Sequence, residues 1–161
     1  MKKIIVIGCP GSGKSHFSKQ LHKKTQLPLY HLDMIFWNED KTTVEKSVFI
    51  DKLYEILKKD EWIIDGNYAS TMELRIKECD TIVFLDMNVD VCLLGVQSRK
   101  GQSRSDLPWT ETEEDTEFSD FIKNFNRDIR PQIIKLLEKY SNKNIFVFKD
   151  RAETQKFLNF F

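Results

Sequence analysis

Gly8-Cys9-Pro10-Gly11-Ser12-Gly13-Lys14-Ser15 is the stretch on which the reading of this chain turns. It satisfies G-x-x-x-x-G-K-[ST] at every required position. Its flanks agree with it. Upstream, Lys3–Ile7 (KIIVI) is a continuous apolar run, as in a strand buried on both faces of a parallel sheet. Downstream, Lys14–Thr25 reads as a helix with Phe17 and Leu21 on one face. The glycines let consecutive backbone N–H groups face inward and approach phosphate closely, and the helix start adds its positive end. Gly8, Cys9, Pro10, Gly11, Ser12, Gly13, Lys14, Ser15 and His16 are therefore the expected nucleotide-binding residues. Lys14 should reach the β- and γ-phosphates of ATP or GTP, and the Ser15 hydroxyl should ligate Mg2+.

Outward from the loop, strands alternate with helices. Short strands are expected at Leu29–His31, Trp62–Ile64, Thr81–Leu85 and Asn144–Phe148. Helices are expected over Val44–Lys59, Val89–Ser98, Phe118–Tyr140 (bent near Pro131) and Ala152–Phe160. Residues 100–116 lack a hydrophobic period, hold Gly101, Pro108 and a knot of acids, and are the expected lid. The alternation defines a three-layer α/β domain with a parallel sheet, and 161 residues suit a single domain.

Composition excludes several classes. Hydrophobic residues at 40% and charged residues at 31% fit a globular domain and neither a disordered nor a membrane-spanning chain. The 25 basic side chains balance 25 acidic ones, so nothing draws the chain as a whole to nucleic acid or anionic membrane. No run approaches the roughly 18 apolar residues of a membrane helix. The basic start Met1-Lys2-Lys3 leads into only a short apolar run, so a first strand rather than a secretion leader is expected. Cys9, Cys79 and Cys92 show no Cys-x-x-Cys pairing, which points to free thiols in a reducing cytoplasm.

Ligands of open α/β sheets sit at the strand ends beside the loop, and Asp33, Asp65 and Asp86 stand at such ends. Asp65, followed by Gly66, is the preferred metal-side carboxylate, with Asp86 as its competitor. Asp33 would face a phosphoryl acceptor, with Phe36 and Trp37 lining its pocket. His31 reads equally as a buried structural residue or a substrate contact. Arg99 and Arg104 flank the lid, and Arg127 and Arg130, three apart, would share a helix face; these four are the candidates for neutralising transferring phosphate. The acids between Asp106 and Asp120 have no intervening base and read as a solvated loop and helix start, capped by Thr112 or Thr116.

GCPGSGKS (Gly8–Ser15), HLDMIFW (His31–Trp37), WIIDGNY (Trp62–Tyr68), CDTIVFLD (Cys79–Asp86), LPWTETEEDTEF (Leu107–Phe118) and KDRAETQKFL (Lys149–Leu158) give the chain a resemblance along nearly its whole length. It resembles the P-loop nucleoside-monophosphate-kinase group, and within it the adenylate-kinase-related proteins labelled "DNA topology modulation protein". The first motif is specific to a superfamily, and the second to fifth together to the subgroup. The resemblance implies a five-stranded parallel sheet with helices on both faces, ATP at the loop, Asp65-Gly66 near Mg2+, and arginines in and after a lid. At Asn67-Tyr68 the chain departs from the Phe-Pro-Arg of adenylate kinases, and only residues 34–60 stand in place of the AMP-binding insertion. AMP as acceptor is therefore not carried over. The label reads as an effect on supercoiling, because the neutral chain shows no basic DNA-gripping surface around a nucleophilic tyrosine.

The leading expectation is an ATP-dependent kinase acting on a small acceptor, such as a nucleoside monophosphate or another small metabolite. The alternative is a nucleotide-binding regulator with slow hydrolysis that docks on a protein or DNA partner. A polynucleotide-end kinase would require an electropositive channel into the same cleft. Oligomeric state is left open.

Overall fold

In a computed structural model that describes residues 1–161, the apolar runs become the strands of one all-parallel sheet. The elements run β1 (Lys3–Gly8), α1 (Lys14–Thr25), β2 (Leu29–His31), α2 (Leu32–Phe36), α3 (Lys46–Leu57), β3 (Trp62–Asp65), α4 (Ala69–Glu78), β4 (Thr81–Leu85), α5 (Val89–Arg99), α6 (Thr116–Asp128), α7 (Arg130–Lys139), β5 (Asn144–Phe148) and α8 (Arg151–Leu158). The five strands lie in the order β2-β3-β1-β4-β5. β1 is central, and Ile4, Ile5, Val6 and Ile7 are wholly buried because helices cover both faces. Parallel pairing carries the carboxyl ends of all five strands to one edge, where Gly8, His31, Asp65, Leu85 and Phe148 finish. The phosphate loop leaves β1 at that edge.

Several expectations need correction. The helix expected over Phe118–Tyr140 is two helices. α6 closes with the bond from Ile129 N–H to the Phe125 carbonyl, and α7 restarts with Pro131 in its first turn. Proline has no N–H to continue the ladder and its ring clashes with the preceding turn, so the chain breaks rather than bends. Arg127 and Arg130 therefore stand on different helices and share no face. α6 is capped by Asp115, whose carboxylate accepts from Phe118 N–H, and not by a threonine. α2 and α4 were not anticipated. α2 has only five residues, too short to display a period, and α4 buries Arg75 among Thr71, Met72 and Ile76, which breaks the apolar pattern.

α5 is set directly against the phosphate loop. A Cβ on Gly11 would fall 1.9 Å from the Cys92 carbonyl oxygen, and one on Gly95 would fall 2.2 Å from the Gly11 carbonyl oxygen. The backbones touch there, and no side chain fits between them.

Candidate functional site

The loop's geometry follows from its junction with α1. Gly13 caps the helix at φ 99, a left-handed conformation that costs glycine little. The first helical backbone bond runs from Phe17 N–H to the Gly13 carbonyl at 2.9 Å. The N–H groups of Lys14, Ser15 and His16 therefore emerge from the helix end with no carbonyl to meet, aimed where an anion would lie. Space beyond Gly13 is open, with nothing within 4 Å of a Cβ built there. Lys14 Nζ folds back to donate to the Cys9 carbonyl at 3.1 Å. Burial pushes the Lys14 pKa down, and the carboxylates of Asp65 and Asp33 oppose that shift.

The loop begins under a clamp that the sequence did not reveal. The Asn67 carboxamide accepts from Gly8 N–H at 3.0 Å and donates to the Gly8 carbonyl at 2.6 Å. Arg75 holds the turn that presents Asn67. Its fully buried guanidinium donates to the carbonyls of Gly66 (2.8 Å), Asn67 and Tyr68. Burial lowers the Arg75 pKa to about 10. The same turn places Tyr68 so that its hydroxyl donates to Asp33 at 2.5 Å.

A cleft of about 250 Å³ opens over the loop. Its charged lining is Lys14, Lys19, Arg99, Arg104 and Arg151 against a single carboxylate, Asp106. Such an excess of cations suits a polyphosphate. Of the expected residues, Gly11, Gly13, Lys14, Ser15, His16, Arg99 and Arg104 line this cleft. Gly8, Cys9, Pro10 and Ser12 shape the loop from behind: Cys9 and Ser12 are buried, and the Cys9 carbonyl accepts from Ser12 N–H at 3.1 Å. Lys19, Gly95, Ser98, Asp106 and Arg151 join them from elements whose meeting no local pattern announces. Arg151 also lines a neighbouring cavity of about 340 Å³ with the apolar residues Met87, Val91 and Leu94.

The expected solvated run holds for Glu113, Glu114, Asp115, Glu117 and Asp120, which are exposed, and is corrected for Asp106 and Glu111 alone. The base of the segment between α5 and α6 is tied by the bond from Gly101 N–H to the Glu111 carbonyl. Asp106 is buried and accepts twice from Arg104, at 2.6 and 3.1 Å. Glu111 accepts from both Arg99 (2.9 Å) and Arg104 (2.7 Å). Burial alone would raise the Asp106 carboxyl. Hydrogen bonds from Arg104 and from the Ser15 hydroxyl, with the charges of Arg104 and Lys19, hold it well below the usual carboxylate range instead.

The remaining candidates divide. Asp33 and Asp65 stand on the β2–β3 side, close enough for both to act on the charge of Lys14. Asp65 is 5% exposed, and His31 Nδ1–H donates to it at 2.8 Å, which gives His31 a positioning contact. Burial raises the Asp33 pKa, against the pull of Tyr68 and Lys14. Arg130 is held by Asp86 through two bonds of 2.8 Å, which occupies both the arginine and the competing carboxylate. Arg127 is 73% exposed and pairs with its neighbour Asp128. It is not among the residues that line the cleft.

The donors fit Mg2+. Oxygen ligands suit it, and Ser15 and Asp106 both line the cleft. No group of three or more His, Cys, Asp or Glu forms a protein cage, as expected for an ion held mainly by phosphates and water.

No protein-family model and no curated protein matches the chain. Solved structures do. Shikimate kinase from Bacteroides thetaiotaomicron is similar at a TM-score of 0.56 and 20% identity, over 97% of this chain and 93% of that one. Shikimate kinase from Aquifex aeolicus is similar at 0.54 and 17% identity, over 97% and 90% of the two chains. The likeness is one of fold: this chain's five-stranded parallel sheet with its helices matches the fold of those structures. No helix is long and apolar enough to cross a membrane.

Proposed function

We propose that this chain is an ATP-dependent kinase that moves the γ-phosphoryl to a small hydroxyl-bearing acceptor. One observation carries the reading: a phosphate-sized cationic cleft over the loop, with the half-buried Asp33 beyond its lining, at the end of β2, acting on the charge of Lys14. That two similar solved structures are shikimate kinases supports phosphoryl transfer, though it does not carry over shikimate. The finer resemblance to adenylate-kinase-related DNA topology modulation proteins rests on the motifs alone.

The loop amides and Lys14 would hold the β- and γ-phosphates, and the apolar cavity beyond Arg151 would take the nucleoside end. Ser15, with Asp65 and Asp106 acting through water, would hold Mg2+, which supplies charge neutralisation between the phosphates. Arg99 and Arg104 would turn from Glu111 and Asp106 to the equatorial oxygens of the transferring group. Asp33, its basicity raised by burial, would accept the proton of the attacking hydroxyl.

Calorimetric titration with ATP in Mg2+ tests the donor half. The wild type should bind at a single site, and Ser15→Ala should weaken binding with Mg2+ far more than without it. Equal weakening in both conditions would remove Ser15 from the metal. Absence of ATP binding by the wild type would end the reading.

A further inference from the structure

We infer that the phosphoryl acceptor is an uncharged hydroxyl compound with a planar or apolar face, of the nucleoside type, and not a phosphate ester or carboxylate. The inference rests on the kinase reading and concerns the face built by β2, β3 and the elements between them, which supplies none of the cleft's lining but adjoins it at Lys14.

That side is aromatic and acidic. Phe36 meets Trp37 edge-on at 5.3 Å and Tyr68 at 4.9 Å. Trp37 in turn meets Trp109, reaching over from the α5–α6 segment, at 6.1 Å. Asp33 and Tyr68 form the polar end of this group, joined by their 2.5 Å hydrogen bond. Trp109 Nε1 is shut off from solvent and donates to nothing in the protein. A buried N–H without an acceptor is costly, so this one suits a ligand oxygen. Aromatic walls with a few placed polar groups recognise a flat or apolar body and orient its hydroxyl.

The cations needed to hold an anionic acceptor are committed elsewhere. The chain has six arginines. Arg75 is the one arginine between β2 and β4, and its fully buried guanidinium serves backbone carbonyls. Arg99 and Arg104 are the lid pair that the transferring phosphoryl requires, Arg130 is bound to Asp86, and Arg127 faces solvent. Arg151 lines the cavities of the opposite, α5–α8 side. Of the lysines between β2 and β3, Lys58 and Lys59 are held by Glu55 and the Tyr30 hydroxyl, Lys46 and Lys52 stand on α3, and Lys41 lies, exposed, over the Trp109 ring at 5.2 Å. An anion brought beside Asp33 and Asp65 would lose its hydration shell and meet like charge, and the one guanidinium that acts on Asp33, that of Arg104, is given to the transferring phosphoryl.

The step balances without a further reactant. The acceptor oxygen forms a bond to the γ-phosphorus, the bond from that phosphorus to the β–γ bridging oxygen breaks, the hydroxyl proton passes to Asp33, and ADP leaves.

The test is ADP release from MgATP with matched acceptors. Adenosine and thymidine are each set against their 5′-monophosphates, and 4-hydroxybenzyl alcohol against 4-(hydroxymethyl)benzoate. The uncharged member of each pair should show the higher kcat/KM, by about tenfold or more. Trp37→Ala and the milder Trp109→Phe should raise its KM with the KM for ATP unchanged, and Lys41→Gln should alter neither. A preference for the monophosphate or the benzoate, or a loss of acceptor binding in Lys41→Gln, overturns this inference and leaves the kinase reading standing. Tight MgATP binding with no acceleration by any acceptor overturns the kinase reading, and the inference with it.

Discussion

Gly95→Ala sets two effects of opposite sign against each other, and the structure says which wins. Alanine inside a helix is ordinarily better than glycine by roughly 0.5–1 kcal/mol. At Gly95, however, the added Cβ would stand 2.2 Å from the Gly11 carbonyl oxygen and 3.2 Å from the Gly11 Cα. Unstrained carbon–oxygen contacts begin near about 3.3 Å, so α5 and the phosphate loop must separate by about 1 Å. The obstructing atom is backbone and cannot rotate away. Overpacking of this kind costs about 1–3 kcal/mol, which exceeds the helix gain. The net loss is about 1–2 kcal/mol, or a Tm lower by roughly 2–8 °C for a chain of this size. The functional loss should be larger in proportion. Gly11 stands two residues before Gly13, and a displacement of about 1 Å in catalytic geometry can cost 100-fold in rate. Differential scanning calorimetry and titration with MgATP measure the two effects. A Gly95→Ala protein with raised Tm and unchanged ATP affinity would refute the contact between α5 and the loop.

Further outcomes follow from the same geometry. Asn67→Ala strips both bonds from the Gly8 backbone and should cost about 1–3 kcal/mol of stability while weakening ATP binding; stability lost with unchanged affinity would remove the clamp from function. Asp33→Asn should lower kcat by about 100-fold or more. Because the ionised carboxylate is the active form and burial raises its pKa, wild-type kcat/KM should fall on the acid side of a limb set above the usual Asp value of about 3.9, and the limb should vanish in the variant. A limb that persists in Asp33→Asn would belong to another group. The depressed Asp106 pKa gives the opposite sign: its contribution is complete above the unfolded value of about 3.9 and is lost as pH falls through the lower folded value. Asp106→Ala should therefore loosen the α5–α6 segment to proteolysis at neutral pH, and acid should loosen it in the wild type; equal cleavage rates at neutral pH would count against the Arg104–Asp106 contact.

Features that lie close in sequence were readable, and those that depend on distant contacts were not. Lys3–Ile7, the glycine loop and α1 form one continuous signal, because strand, turn and helix each declare themselves within a few residues. The other strands were legible as short apolar runs ending at a polar residue or a turn. Tyr68, in the left-handed region at φ 39, starts α4 without a helix-starting signature, and Arg75 sits where that helix should show an apolar residue. Nothing in the local sequence says that Arg75 is satisfied by carbonyls seven to nine residues earlier. Asp106 and Glu111 read with the solvated acids after them because the arginines they neutralise become partners only after the segment folds over the loop. Gly95, Asp106 and Arg151 reach the cleft from three separate places in the chain, so periodicity holds no trace of their meeting.

The central claim is phosphoryl transfer from ATP to an acceptor at this loop. The most direct test follows ADP release in Mg2+, with and without the uncharged acceptors, for wild type and for a folded Lys14→Ala protein. The account predicts an acceptor-dependent rate well above hydrolysis in the wild type and its loss in the variant. Slow hydrolysis that no acceptor increases, with ATP still bound tightly, would contradict it and leave a nucleotide-binding regulator as the better description.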